Sequence, residues 1–167
     1  GQPDGDATVL LYNEDDTLAA TGTRQGNLLK YIAVDPAYQG QDLTARVLTA
    51  LRQGNPQIEV TLLVATGFHR STTTAELEAK LGAEIAENEK IIVHDAFDPD
   101  SNVQIGILPS GAPLVIDRAA VETDLLISEG FIEPHFFAGF SGGRKSVLPG
   151  VCDKKTVLGN HCGEFIA

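Results

Sequence analysis

The sequence predicts an α/β protein, with a layered mixed sheet of parallel core strands, helices on both faces and an antiparallel meander at the amino-terminal end. Three observations carry this expectation. Short apolar runs separated by turn-forming clusters occupy the first 34 residues, the texture of antiparallel hairpins. From residue 58 onward apolar runs alternate with helical patterns, and the run 58–65 is almost continuously apolar, as in a strand covered on both faces. Finally, 167 residues of 43% hydrophobic content suffice for one core and are short for two, which predicts a single domain over residues 1–167.

Taken in order, the runs 7–12, 18–23 and 28–34 are three strands, separated by Asn13-Glu14-Asp15-Asp16 and Arg24-Gln25-Gly26-Asn27. After Asp35-Pro36 the period changes. Leu43, Val47, Leu48 and Leu51 fall on one face at helical spacing, and Gly54 with Pro56 stops the helix 43–52. The strand–helix–strand order around it predicts strands 28–34 and 58–64 as parallel neighbours joined by a right-handed crossover. Thr73 and Glu76 form a capping box that opens a helix through Leu81, closed by Gly82. Strands are expected at 90–95, 103–108, 113–117 and 124–129, with a short helix at 118–123.

Charge excludes several functions. Twelve Lys and Arg stand against 23 Asp and Glu, and a net charge of -11 repels nucleic acid and anionic membranes. No apolar run approaches the ~20 residues that cross a bilayer, and the polar start Gly1 to Asp6 has no signal-peptide character, so a cytoplasmic location is expected. Cys152 and Cys162, ten apart with no second pair, fit neither a disulfide framework nor a zinc ribbon and read as reduced thiols. The chain has no Met and stops at Glu164-Phe165-Ile166-Ala167 without a helix stop, so it reads as a fragment or an engineered piece.

Chemistry concentrates in Glu133-Pro134-His135-Phe136-Phe137-Ala138-Gly139-Phe140-Ser141-Gly142-Gly143-Arg144-Lys145-Ser146, just beyond an expected strand end, where open α/β sheets bind ligands. Gly139, Gly142 and Gly143 let backbone N–H groups approach an anion, and Arg144 with Lys145 adds positive charge in an acidic chain, which suits a phosphate. The stretch is not a nucleoside-triphosphate loop, because Arg144 stands where that motif needs glycine and no strand runs into Gly139. A glycine-rich surface loop with a solvated lysine is the plainer alternative. Against it stand two further histidines beside glycines, His69 in Gly67-Phe68-His69-Arg70 and His161 in Asn160-His161-Cys162-Gly163. Imidazole alone combines neutral metal ligation with acid/base work near neutrality. His94, followed by Asp95 at a strand end, lacks such company and reads as structural.

Three segments in order, Leu63-Val64-Ala65-Thr66-Gly67-Phe68-His69-Arg70, residues 125–150 (LLISEGFIEPHFFAGFSGGRKSVLPG) and Asn160-His161-Cys162-Gly163-Glu164-Phe165-Ile166, closely resemble the amino-terminal domain of the nickel-pincer lactate racemases. The resemblance covers residues 51–167. It implies a racemase that interconverts L- and D-lactate with a nickel pincer nucleotide, a pyridinium mononucleotide with two sulfur-bearing arms. By the matching motif Lys145 would carry that cofactor through a thioamide link, His161 would ligate nickel, and His69 with His135 would be the acid/base pair. Two bases suit the chemistry: the hydroxyl proton must leave either enantiomer while hydride goes to the cofactor and returns to either face of pyruvate. Gly142, Gly143 and Arg144 would hold the mononucleotide phosphate, an assignment made from charge and glycine content. The implied partners are lactate or pyruvate, the enzymes that build the cofactor, and a carboxyl-terminal racemase domain that closes the site and lies beyond this chain, so the chain alone is expected to be inactive.

One departure from that family is the Asp-His-Thr-Arg motif after its first strand, which does not occur here. In its place residues 28–52 (LLKYIAVDPAYQGQDLTARVLTALR), with the meander, resemble the acetyltransferase-like start of citrate lyase ligase over residues 1–50. Gln39-Gly40-Gln41 fits the loop that wraps coenzyme A pyrophosphate in acetyltransferases, but Asp42 puts a carboxylate where the anion would sit. Three readings therefore compete: a racemase domain, an acetyl-CoA-binding module, and an inert folded chimera joined inside the helix 43–52.

Overall fold

A computed structural model of the chain describes residues 7–12, 18–25, 28–34, 43–130, 132–135 and 139–166. Its α/β class is the expected one. The meander is present: β1 (Ala7–Tyr12), β2 (Leu18–Gln25) and β3 (Leu28–Val34) form an antiparallel sheet in that order, with Ala7 opposite Arg24 and Gln25 opposite Leu28. The Gln39 to Asp42 loop lies outside the described residues.

Helix α1 (Leu43–Gly54) turns Leu48 fully inward with Val47 and Leu51 half-buried beside it, the face its 3.6-residue period predicts. Two of its side chains tie α1 to later segments of the chain. Both guanidinium nitrogens of Arg52 donate to the Glu89 carboxylate at 2.7 Å, and Thr44 Oγ1 donates to Glu129 Oε1 at 2.9 Å.

Strands β4 (Thr61–Val64) and β5 (Lys90–Val93) pair in parallel, Thr61 opposite Lys90 and Val64 opposite Val93, and the His94 N–H extends the ladder to the Val64 carbonyl at 3.1 Å. Between them runs α2 (Thr74–Leu81), opened by the expected capping box: Thr73 Oγ1 accepts from the Glu76 N–H while Glu76 Oε2 accepts from the Thr73 N–H. The Arg70 guanidinium, the largest influence, and the Thr73 donors hold the Glu76 carboxyl far below the ordinary carboxylate range. Gly82, at φ 83°, ends α2, and a helix that the apolar pattern does not announce, α3 (Ala83–Asn88), starts at once.

The core lies further along. Strands β6 (Asn102–Ile107) and β7 (Pro113–Asp117) form an antiparallel hairpin that leads into α4 (Arg118–Val121). On the other edge of β7 lies the segment 151–153: the Asp117 N–H donates to the Val151 carbonyl at 2.9 Å and the Asp153 N–H to the Val115 carbonyl at 3.1 Å. Ile116, Val151, Cys152 and Val157 are buried together, ringed by Leu63, Leu114, Val147 and Leu148. Helix α5 (Lys154–Asn160) is capped by Asp153, which accepts from the Thr156 N–H at 2.8 Å. Thr156, wholly buried, stitches this helix to β7, accepting from the Val115 N–H and donating to the Pro113 carbonyl, both at 2.8 Å. The two-residue strands β8 (Pro134–His135) and β9 (Gly139–Phe140) pair antiparallel, and α6 (Gly163–Ile166) follows α5.

Two expectations need correcting. Strands β3 and β4 are not parallel neighbours: among the described residues β3 pairs with β2 and β4 with β5, and the strands fall into four small sheets. Apolar period identifies a strand but says nothing of which edge it meets, and α1 delivers the chain beside β5. Residues 124–129 form no strand either. That segment runs past the Lys145 turn, bonded through Ser128 Oγ to the Gly143 carbonyl at 3.4 Å rather than through a ladder.

Candidate functional site

Gly142 and Gly143, at φ 74° and 54°, admit the left-handed backbone that opens a 3-10 turn over Gly143–Ser146. Lys145 sits half-buried in this turn and Arg144 is exposed. The Lys145 N–H donates to the Gly142 carbonyl at 3.1 Å, and the Arg144 carbonyl accepts from the N–H groups of Val147 and Leu148. The chain then doubles back so tightly that the Gly150 N–H reaches the Lys145 carbonyl at 2.9 Å. A side chain at 150 has no room: its Cβ would lie 2.2 Å from the Ser146 carbonyl oxygen. Strand β3 lies alongside the turn.

The His69 turn meets this one at the same glycine. The Gly67 N–H donates to the Gly150 carbonyl at 2.8 Å, and Gly67, at φ 56°, packs against Pro149. His69 follows two residues on, exposed, its N–H bonded to the Thr66 carbonyl at 3.1 Å. Gly150 therefore joins the two turns, one by its N–H and one by its C=O. Beside His69 the Phe68 and Phe97 rings lie 5.3 Å apart, with the Lys154 ammonium 5.6 Å above Phe97.

His135 and His161 come from two other elements. His135 is half-buried on β8 opposite Gly139, in a hairpin closed by the Ser141 N–H on the Glu133 carbonyl at 2.8 Å. His161 ends α5, its N–H on the Val157 carbonyl at 2.9 Å and its ring Nδ1 3.3 Å from the same oxygen. A carbonyl only accepts, so Nδ1 donates to it, as the second ring nitrogen of metal-ligating histidines does. The depression beside it, about 70 Å³ and lined by Leu108, Pro109, Ser110, Gly159 and Asn160, is too small for a mononucleotide. Among the described residues no group of three or more His, Cys, Asp and Glu side chains is placed to hold a metal ion.

Sequence patterns alone pass over the residues that assemble these pieces. Gly67 and Gly150 make the contact, and His94 with Cys152 buttresses it; the one legible signal is the Pro149-Gly150 dipeptide, a turn marker. His94, expected to be structural, is buried with Nδ1 3.0 Å from Asp117 Oδ2 and Nε2 2.9 Å from the Cys152 carbonyl. Burial, helped by Asp153, pushes the Cys152 thiol up to about 12.

These features define an α/β domain in which the Lys145 and His69 turns are joined backbone to backbone through Gly150. The chain belongs to the lactate racemase N-terminal domain family, whose model matches residues 36–167, a span that includes α1. It is similar to the lactate racemase of Thermoanaerobacterium thermosaccharolyticum, 54% identical over 120 residues, which is 72% of this chain and 28% of that protein. It is similar also to the lactate racemase of Lactiplantibacillus plantarum, 56% identical over 124 residues, 74% of this chain and 29% of that protein. The chain thus spans less than a third of the length of these curated relatives. Among solved structures, the lactate racemase apoprotein from Thermoanaerobacterium thermosaccharolyticum superposes with a TM-score of 0.72 at 51% identity, over 76% of this chain and 31% of that one. A protein from Thermotoga maritima gives 0.58 at 29% identity, over 72% of this chain and 32% of that one.

Proposed function

We propose that this chain is the cofactor-bearing domain of a nickel-dependent lactate racemase, a cytoplasmic isomerase of 2-hydroxy acids. Lys145 carries a nickel pincer nucleotide, His161 ligates the nickel, and Gly142, Gly143 and Arg144 hold the mononucleotide phosphate. His69 and His135 are the acid/base pair. The observation that carries this reading is the family match over residues 36–167, which contains all of these positions. The donor chemistry fits the group: His161 turns Nδ1–H to a backbone carbonyl, and imidazole is a ligand type that suits nickel. The positive-φ glycines next to Arg144 suit a phosphate.

When bound, the group supplies a hydride acceptor. The chain's own residues then manage protons. Lactate loses its hydroxyl proton to a neutral imidazole, His69 for one enantiomer and His135 for the other, as its α-hydrogen departs with two electrons, and pyruvate results. For the mirror-image product the other histidine, holding its proton, would deliver it to the pyruvate oxygen. The four side chains must line one cleft for this to work, and the Gly150 junction contributes by holding the His69 and Lys145 turns together. Residues 1–167 are proposed to form one domain, with the meander of β1 to β3 leading into the racemase portion, whose family match begins ahead of α1.

The test is intact-mass analysis after co-expression with the enzymes that build the cofactor. An adduct mapped to Lys145, absent in Lys145→Arg and retained without nickel in His161→Ala, is expected. An unmodified chain, from cells in which a complete racemase is loaded, overturns the reading. Racemisation itself is expected to need protein beyond this span, because positioning supplies on the order of 7 to 11 kcal/mol of such a barrier. Measuring D-lactate formed from L-lactate by the loaded chain checks this.

A further inference from the structure

We propose that His94 is a positioning residue for the Lys145 and His69 turns, acting through the carbonyl of Cys152. Its functional weight rests on the racemase reading; its geometry does not. His94 stands where β5 ends, buried to 1% exposure, and touches both turns' supports. Its own carbonyl accepts from Thr66 Oγ1 at 2.7 Å, at the entry to the His69 turn. Its ring Nε2 lies 2.9 Å from the Cys152 carbonyl, at the exit of the segment that follows Lys145. The Gly67 to Gly150 bond closes the circuit between these two points.

The proton positions follow from the acceptors. A carbonyl accepts only, so Nε2 bears a hydrogen. Between Nδ1 and Asp117 Oδ2, 3.0 Å apart, lies one further proton, whether imidazolium faces carboxylate or neutral ring faces acid, and the Nε2–H donor is the same in both. Asp117 is itself fixed, because its Oδ1 accepts from the Ala119 N–H at 2.9 Å. Asp117 therefore aims the ring, and the ring holds Cys152. From Cys152 the constraint passes inward: its N–H donates to the Pro149 carbonyl at 3.0 Å and its thiol to the Val147 carbonyl at 3.1 Å, both in the fold-back that carries Gly150 and its bond to Lys145.

Two substitutions separate this role from mere burial of a polar group. Asparagine at 94 has its amide near the place of Nδ1, so His94→Asn keeps a donor for Asp117 and abandons Cys152. Glutamine has its amide near the place of Nε2, so His94→Gln keeps the Cys152 bond and abandons Asp117. Each loses one bond, and each is expected to lower global stability comparably. Only His94→Asn should free the turns: amide hydrogen exchange at Gly67 and Gly150 is expected to be about tenfold faster than in His94→Gln, the order of one net hydrogen bond. Acetylation of Lys145 by a limiting acylating reagent, read by peptide mass spectrometry, should quicken in the same variant only. Equal exchange at the two glycines in both variants overturns the proposal. If either variant does not fold, the unsubstituted chain decides, since the ring Nε2–H and the two glycine amides should exchange at one shared rate. Glycine amides that exchange while the ring proton persists refute it. Neither nickel nor lactate enters these measurements, so failure to load Lys145 would count against the racemase reading alone.

Discussion

Gly150→Ala tests the junction of the two turns most directly. Its Cβ would stand 2.2 Å from the Ser146 carbonyl oxygen, 2.6 Å from the Ser146 carbonyl carbon and 2.8 Å from the Lys145 carbonyl oxygen, all backbone atoms that cannot swing aside as a side-chain tip would. The backbone must therefore part, and with it go the bonds from the Gly150 N–H to Lys145 and from the Gly67 N–H to Gly150. Overpacking of this kind costs about 1–3 kcal/mol, and each lost hydrogen bond about 0.5–1.5 kcal/mol, so a cost of about 2 to 6 kcal/mol is expected. Urea unfolding followed by circular dichroism measures it, and a thermal melt should fall by roughly 2–4 °C per kcal/mol for a chain of this size. Gly54→Ala is the control, because nothing lies within 4 Å of a Cβ at that helix end. It should be neutral or stabilise by about 0.4–1 kcal/mol through the unfolded chain. A Gly150→Ala protein that melts with the unsubstituted chain would refute the claim that this glycine joins the turns.

Thr156→Val, nearly isosteric, strands the Val115 N–H and the Pro113 carbonyl in the interior and should cost at least about 2 kcal/mol by urea titration, whereas Thr156→Ser keeps the hydroxyl and loses about 0.8 kcal/mol of methyl burial. In native buffer a thiol reagent should label Cys162, which is half-buried, and spare Cys152, which is fully buried; two labels per chain before unfolding would contradict the packing. The Cys152 thiol, pushed up to about 12 from an unfolded value of about 8.5, contributes stability that is complete below about pH 8.5 and is lost as pH rises toward 12. Urea midpoints should therefore fall with pH across that window, and fall less in Cys152→Ala.

Local signals were legible because their physics is local. The capping box at Thr73 and Glu76, the apolar face of α1, the three meander strands and the turn glycines each depend on residues a few positions apart, and the residues alone determined them. The family was legible too, since the segments that hold His69, His135, Lys145 and His161 are long enough to carry a resemblance, and the family match spans all four. Sequence by itself determined which side chains could do chemistry.

Partnership was decided elsewhere. Nothing in the period of β4 says that it meets β5 and not β3, because a strand's two edges are equivalent to its pattern. Residues 124–129 have a strand's composition yet lie along the Lys145 turn, where Ser128 finds a carbonyl and no ladder is available. His94 is one more histidine until folding places Asp117, 23 positions on, and Cys152, 58 positions on, against its two ring nitrogens. Gly150 is one more glycine until the chain doubles back to within 2.9 Å of Lys145 while β4 delivers Gly67 to its other side. These contacts join residues far apart in the chain, and only the packing of the core that brings them together gives them meaning.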